Sequence, residues 1–211
     1  MVKLQKIYIE NDEIKLQAEF YKSPKYDKKA VLLTHPHPMY GGNMYNNVIS
    51  HIFNLLEEKD VSVLRFNFRG VDASNGKSSS GELELTDVRA SLDYLVSQED
   101  FENILICGYS YGAAIGCSNV DYLEEVIGYI AISFPWDFMG EKYKKLSNSH
   151  KPKYFIQGTL DNVAKFDRFD YHYDFYDEPK EKFYIEGADH FYRGYEHLIG
   201  EKVNDILEEL F

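Results

Sequence analysis

Long apolar segments, cysteines and positive charge are all scarce in this chain of 211 residues. No run approaches the roughly 18 apolar residues that a membrane-spanning helix needs. Five of the first 13 residues are charged, which excludes the apolar core of a signal peptide. Cys107 and Cys117 lie in apolar segments rather than in a spaced framework, as is typical of a reducing compartment. These absences predict a cytoplasmic protein without a membrane partner.

Negative charge dominates the composition. Asp and Glu outnumber Lys and Arg by 35 to 23, which gives a formal net charge of -12 at pH 7, and the acidic residues are spread along the chain. Non-specific binding to nucleic acid depends on basic residues that displace counterions from the phosphates. Nucleic acid is therefore not an expected partner.

Short apolar segments recur along the chain in a pattern typical of strands. Residues 7–10 and 14–21 alternate apolar and polar side chains around the turn-prone pair Asn11-Asp12, which predicts an antiparallel hairpin. The later segments are apolar almost throughout, as strands buried on both faces of a parallel sheet are. They cover residues 30–34, 61–67, 103–109, 126–133, 153–157 and 182–185.

Segments with helical spacing separate these strands, for example Leu85, Val88, Leu92 and Leu95. The alternation predicts one α/β domain over residues 1–211. We expect a mostly parallel sheet of about eight strands, with helices on both faces. In such a sheet the ligand site lies beyond the carboxyl ends of the strands.

The strand predicted over residues 103–109 runs directly into Gly108-Tyr109-Ser110-Tyr111-Gly112, and a helix follows. A serine between two glycines at a strand-to-helix turn has the pattern of a nucleophile elbow, because small residues let the sharp turn pack closely. The motif predicts Ser110 as a nucleophile. A glycine-rich turn without a catalytic role is the alternative.

A serine nucleophile needs a base within hydrogen-bond reach and a carboxylate that orients this base. In this architecture the chain order is serine, acid, histidine. Asp161 and His190 each follow a predicted strand and a glycine turn, so we predict His190 as the base and Asp161 as the acid. Three other carboxylates near strand ends remain possible acids: Asp137, Asp167 and Asp170.

An oxyanion formed at the substrate carbonyl needs two N–H donors. We predict the amide of Tyr111 as one donor and an amide of the loop 35–42 as the other. The prolines of this loop have no N–H, which favours His37, with Met39 or Tyr40 as alternatives. The pair His35 and His37 also suggests a metal site, but no third ligand is evident nearby. Neither a metal nor a cofactor is predicted.

Four segments together resemble the α/β-hydrolase superfamily, and within it the small lidless esterase-like branch that includes relatives of dienelactone hydrolase. They are residues 35–43, 66–71, 108–112 and 187–191, and the resemblance extends over nearly the whole chain. It implies the same nucleophile, base, acid and oxyanion donors. Dienelactone hydrolases proper have a cysteine nucleophile, so Ser110 argues against their particular substrate.

About 18 residues, 134–151, separate the sixth and seventh predicted strands, which is too short for a large lid. A minimal cap predicts an open pocket for small or short-chain esters. Candidate pocket residues are Tyr40, Phe134, Trp136, Phe138 and Met139, with plain aromatic packing as the alternative. The aromatic and acidic segment 166–177 is a candidate to pack over this pocket. Arg69 is expected to brace loops.

The predicted reaction is hydrolysis of a small-molecule ester through an acyl-enzyme. A peptidase, an amidase or a thioesterase would use the same triad, and a non-catalytic binding protein on this fold is a further alternative. A monomer and a homodimer are both compatible with the sequence.

Overall fold

The computed structural model describes residues 4–25 and 27–211 of the chain. Its strands are β1 (Gln5–Asn11), β2 (Ile14–Tyr21), β3 (Lys29–Thr34), β4 (Ser62–Phe66), β5 (Asn103–Tyr109), β6 (Val126–Ile132), β7 (Lys153–Gly158) and β8 (Lys180–Ile185). All eight join one sheet in the order β1-β2-β4-β3-β5-β6-β7-β8. The hairpin β1-β2 and the pair β2-β4 are antiparallel, and β3 to β8 run parallel. The predicted sheet is confirmed.

Helices cover both faces of this sheet. They are α1 (Asn47–Glu58), α2 (Glu84–Ser97), α3 (Tyr111–Cys117), α4 (Trp136–Met139), α5 (Glu141–Leu146), α6 (Phe169–Tyr173) and α7 (Glu196–Leu210). Helices α1 and α7 bury their apolar stripes on one face, while α2, α3 and α6 pack on the other. In the described residues, the helices are too short or too polar to cross a bilayer.

The two-sided core follows from the alternation of side chains along each strand. In β3, Val31 and Leu33 face the cluster that contains α1 and α7, whereas Ala30 and Leu32 face the cluster that contains α2. Because both faces are covered, the central strands are apolar at most positions. This explains why runs of apolar residues located them in the sequence.

Every strand boundary lies within two residues of its prediction, and two of the differences have a physical reason. The edge strand β8 begins at Lys180 rather than at residue 182, because most residues of this edge strand are exposed or half-buried and form no continuous apolar run. The sixth predicted strand ended at Ser133, but β6 ends at Ile132 and the backbone of Ser133 turns to a positive φ of 48°.

The carboxyl ends of β5, β6, β7 and β8 lie side by side in the sheet. The chain leaves these ends with Ser110, Ser133, Asp161 and His190 in the following turns or loops. The short helices α4 and α5 connect β6 to β7. The topology therefore concentrates the predicted site residues at one edge.

Candidate active site

Ser110 lies in a strained turn between β5 and α3. Its φ of 55° falls in the left-handed region that residues with a side chain rarely adopt. The Ser110 N–H donates to the Ile132 carbonyl oxygen at 2.8 Å, which holds the turn against the end of β6. A methyl group on Gly112 would collide with the carbonyl oxygen of Thr34. The glycine is required here because the turn packs directly on the backbone of β3.

The structure brings the predicted nucleophile, base and acid into one hydrogen-bonded chain. Ser110 Oγ lies 2.9 Å from His190 Nε2, and His190 Nδ1 lies 2.8 Å from Asp161 Oδ2. All three residues are buried. The Asp161 carboxylate can only accept, so His190 carries its proton on Nδ1 and leaves Nε2 free to accept the Ser110 hydroxyl proton.

Backbone groups hold the acid and the base in this geometry. Asp161 Oδ1 accepts hydrogen bonds from the amides of Val163 at 2.9 Å and Ala164 at 2.8 Å. The Tyr109 hydroxyl donates to the carbonyl oxygen of His190 at 2.5 Å, which ties the loop after β8 to the end of β5. The Asp161 carboxylate and the backbone of His190 are therefore both held in place.

Two of the alternative acids are engaged elsewhere. Asp137 pairs with His172 and Arg168, and Asp170 pairs with Lys182. Of the four carboxylates considered, Asp161 is the one that contacts the His190 ring.

Backbone amides of the loop after β3 differ in whether they have an acceptor. The amide of Met39 donates to His37 Nδ1 at 3.2 Å, and that of Tyr40 donates to the His37 carbonyl oxygen at 3.1 Å. The amides of His37 and Tyr111 have no acceptor among residues 4–25 and 27–211. The rings of His37 and Tyr111 are 4.5 Å apart between centroids, and both residues line the same cavity.

His35, the other histidine of this loop, uses both ring nitrogens within the protein. Nδ1 donates to the Pro36 carbonyl oxygen at 2.7 Å, and Nε2 accepts from the Phe68 amide at 3.0 Å. The ring is fully buried, and burial lowers its pKa to about 4. His35 therefore joins the loops after β3 and β4 as a neutral imidazole and offers no lone pair to a metal.

This arrangement predicts a loss of stability in mild acid. In the unfolded chain His35 is protonated below its ordinary pKa of about 6.5, whereas in the folded protein it stays neutral down to about pH 4. The free energy of unfolding therefore decreases as the pH falls from about 6.5 to about 4. Urea unfolding should show that the stability advantage of wild type over His35→Gln shrinks by about 2 kcal/mol between pH 7.5 and pH 5. An advantage that does not change with pH would contradict the neutral, buried ring.

A cavity of about 430 Å³ opens above Ser110, within the usual range for small-molecule sites. Its walls are formed by Pro36, His37, Tyr40, Gly41, Gly42, Asn46, Tyr109, Ser110, Tyr111, Pro135, Phe138, Val163, His190 and Phe191. Three aromatic rings at its mouth are largely exposed: Tyr40 by 79%, Phe138 by 59% and Phe191 by 56%. Ser110 is thus reached through an open aromatic rim.

Two of the five predicted pocket residues, Tyr40 and Phe138, line this cavity. Phe134 and Trp136 are instead buried in the core, with their rings stacked 5.0 Å apart. The Trp136 indole N–H donates to the Tyr176 hydroxyl at 2.8 Å, and Met139 packs against the same core. The assignment of Phe134, Trp136 and Met139 to the pocket is corrected, because these side chains pack in the core, where Trp136 contacts α6.

The segment 166–177 packs beside α4 and lines no part of the cavity. Phe169, His172 and Tyr176 contact Trp136 with ring centroids 5.1 to 6.3 Å apart. The expectation that this segment covers the pocket is wrong. Its aromatic residues extend the core around Trp136 instead.

Arg69 braces the loop after β4, as expected. Its guanidinium pairs with the buried Asp87 carboxylate, with Nη2 2.6 Å from Oδ1. The same carboxylate accepts the Arg69 amide, so the loop after β4 is bound to α2. The pair lies outside the cavity.

Several wall residues were not identified from the sequence. Val163 and Phe191 follow Asp161 and His190 in the loops after β7 and β8, and Pro135 precedes α4. The signal available for Val163 and Phe191 was their position within two residues of a predicted triad member. The apolar character of such neighbours indicates a cavity wall.

Comparisons with known proteins agree with this geometry. The model of a family described as alpha/beta hydrolase domain matches residues 27–209. An uncharacterized protein of Rickettsia prowazekii, RP471, is 30% identical over 222 residues, covering 97% of this chain and 89% of the relative.

Solved structures show the same likeness. An alpha-beta serine hydrolase homologue from Coxiella burnetii has a TM-score of 0.85 and 27% identity, covering 95% of each chain. XC6422 from Xanthomonas campestris, described as a serine hydrolase without a lid, has a TM-score of 0.85 at 21% identity. The match covers 99% of this chain and 95% of the XC6422 chain. The chain therefore belongs to the alpha/beta hydrolase family.

Proposed function

We propose that the protein is a serine hydrolase that cleaves small or short-chain carboxylic esters with an uncharged acyl group. The observation that carries the proposal is the hydrogen-bonded chain from Ser110 Oγ through His190 to Asp161. Its Ser110 end opens into the cavity. A hydroxyl, a base and an orienting carboxylate in this order constitute the machinery of acyl transfer.

The reaction proceeds in two halves. His190 Nε2 takes the proton of the Ser110 hydroxyl while Ser110 Oγ attacks the ester carbonyl carbon. The carbonyl oxygen becomes an oxyanion, for which the free amides of His37 and Tyr111 are the donors. His190 then protonates the departing alcohol, and a water molecule, activated by the same nitrogen, releases the acid from Ser110.

The preference for uncharged acyl groups rests on the composition of the cavity wall. The described lining residues include no Lys, Arg, Asp or Glu. Burial lowers the pKa of His37, which favours the neutral ring. A substrate carboxylate in this cavity would lose water without gaining a cationic partner, and such a loss is unfavourable. The net charge of -12 adds repulsion at longer range.

A panel of chromogenic substrates tests the reaction class. We expect hydrolysis of 4-nitrophenyl acetate and butyrate, with weaker activity on longer chains because the cavity holds only about 430 Å³. Thioesters of the same acyl groups and aminoacyl 4-nitroanilides test the thioesterase and amidase alternatives. Faster turnover of the anilides than of the esters would overturn the ester assignment, and no turnover at all would favour a binding protein.

Charge selectivity is tested with a matched pair of esters. Wild type should hydrolyse 4-nitrophenyl butyrate with a kcat/KM at least about tenfold above that for the 4-nitrophenyl monoester of succinic acid. Phe138→Lys places a cation at the rim and should raise the relative kcat/KM for the succinyl ester by about tenfold. Phe138→Gln, which is neutral, is the control and should leave the ratio unchanged. Equal rates on both esters in wild type would contradict the proposal.

A further inference from the structure

A line of buried hydrogen bonds continues behind Asp161, away from His190. Ser133 Oγ lies 2.7 Å from Asp161 Oδ2, the same oxygen that faces His190. The Tyr192 hydroxyl lies 2.6 Å from Ser133 Oγ. The Gly158 amide donates to the Tyr192 oxygen at 2.9 Å. Ser133 and Tyr192 are both fully buried, so water does not compete for these bonds.

The donors and acceptors in this line can be arranged in only one direction. The Asp161 carboxylate only accepts, so Ser133 gives its single proton to Asp161 Oδ2. Ser133 Oγ can then only accept from Tyr192, which gives its proton to Ser133 and accepts from the Gly158 amide. Burial raises the pKa of the Tyr192 phenol well above its ordinary value, so this proton is present throughout the neutral range.

The backbone is strained at both residues that form the line. Ser133 has a φ of 48° and Tyr192 a φ of 54°, in the left-handed region that favours glycine. Non-glycine residues remain in this region where the surrounding structure fixes them, and such residues concentrate at functional sites. Both side chains reach the line of hydrogen bonds because their backbones turn at these points.

We propose that Ser133 and Tyr192 are positioning residues that hold Asp161 Oδ2 in line with His190 Nδ1. The inference rests on the proposed function, because it assigns these residues to the same triad. The ends of four neighbouring strands then supply the machinery. Ser110 follows β5, Ser133 follows β6, Asp161 follows β7 and His190 follows β8. Each carboxylate oxygen of Asp161 has two partners: the amides of Val163 and Ala164 on Oδ1, and Ser133 and His190 on Oδ2.

The consequence for catalysis is orientation rather than substrate binding. Neither Ser133 nor Tyr192 lines the cavity. Removing either hydroxyl frees Asp161 Oδ2 to rotate away from His190, which weakens proton transfer in the transition state. The loss should therefore appear in kcat and leave KM unchanged.

Tyr192→Phe and Ser133→Ala test the proposal by steady-state kinetics on 4-nitrophenyl butyrate. We expect kcat to fall about tenfold in each variant, with KM within about twofold of wild type. Because Tyr192 acts through Ser133, the double variant should be no slower than Ser133→Ala alone. If the two losses of kcat multiplied in the double variant, Tyr192 would not act through Ser133, and the proposal would be contradicted.

Tyr129→Phe is the matched control. Tyr129 is fully buried on β6 and its hydroxyl donates to the Ser147 carbonyl oxygen at 2.9 Å, so the change also removes one buried hydrogen bond. It lies in the cluster on the opposite face of the sheet from Tyr192. We expect wild-type kcat from this variant. A tenfold loss here as well would show that the effect in Tyr192→Phe reflects general loosening of the core.

Proton NMR of the resting enzyme provides a readout that does not depend on turnover. The proton shared by His190 Nδ1 and Asp161 should give a low-field signal in wild type and in Tyr129→Phe, and a shifted or broadened signal in Tyr192→Phe and Ser133→Ala. An unchanged signal together with unchanged kcat would overturn the positioning role. If wild type did not hydrolyse esters but its low-field signal still changed in Tyr192→Phe, the proposed function would be disproved. The positioning of Asp161 by Ser133 and Tyr192 would be retained.

Discussion

Ser110→Ala should lower kcat for 4-nitrophenyl butyrate by about 10⁵-fold, with no loss of folded protein. The variant removes the only atom that bonds to the acyl group in the proposed reaction. His190 and the amides of His37 and Tyr111 remain in place, so a small residual rate above that of water is expected. Steady-state kinetics on purified protein, corrected for the uncatalysed rate, measures the effect.

Ser118→Ala is the matched control for this change. Ser118 is also buried and follows α3, where its hydroxyl donates to the Ala114 carbonyl oxygen at 2.7 Å. We expect wild-type activity from Ser118→Ala. If Ser110→Ala retained more than about a hundredth of the wild-type kcat, nucleophilic catalysis by Ser110 would be contradicted.

Asp161→Asn should lower kcat by about 10⁴-fold at pH 7 while the fold persists. The asparagine oxygen is expected to take the Oδ1 position, where the amides of Val163 and Ala164 require an acceptor. Its NH₂ group then points at His190 Nδ1, which must accept instead of donate. The His190 proton moves to Nε2, and the ring can no longer accept the proton of Ser110.

Asp137→Asn is the control for the acid, since Asp137 was an alternative in the sequence and pairs with His172 and Arg168 in the structure. It should keep kcat within about threefold of wild type, as expected for a partly exposed ion pair. A large loss of kcat in Asp137→Asn with little effect in Asp161→Asn would contradict the assignment of Asp161 as the acid.

The fold could be predicted because its central strands are buried on both faces. Segments such as 103–109 therefore appear as unbroken apolar runs, and β5 has these bounds in the structure. The edge strand β8 was located less accurately because only its last residue, Ile185, is buried. Parallel topology also accounts for the site, since it places Ser110, Asp161 and His190 at the same edge of the sheet, after β5, β7 and β8, although the chain separates them widely.

The pocket wall was less predictable because it depends on side-chain direction. Trp136 and Phe138 are two residues apart on the same short helix, yet Trp136 is buried beside α6 and Phe138 lines the cavity. A helix of four residues has too few positions for its buried face to be recognised from periodicity. The acidic, aromatic segment 166–177 gave no indication that its rings extend the core.

Ser133 and Tyr192 could not be identified from sequence for a different reason. Neither belongs to a motif, and Ser133 was assigned to the end of a strand. Their positions depend on backbone turns with positive φ at non-glycine residues, which composition does not reveal. A serine at the end of the predicted strand that lies in the chain between Ser110 and Asp161 is the one signal that the sequence offered.

Labelling with a fluorophosphonate probe tests the central claim most directly, because the probe reacts covalently with an activated serine and needs no knowledge of the physiological substrate. Intact-protein mass spectrometry followed by peptide mapping should show a single adduct on Ser110 in wild type, a much slower reaction in Asp161→Asn, and no adduct in Ser110→Ala. An unlabelled wild-type protein, or equal labelling of Ser110→Ala, would contradict the assignment of Ser110 as an activated nucleophile.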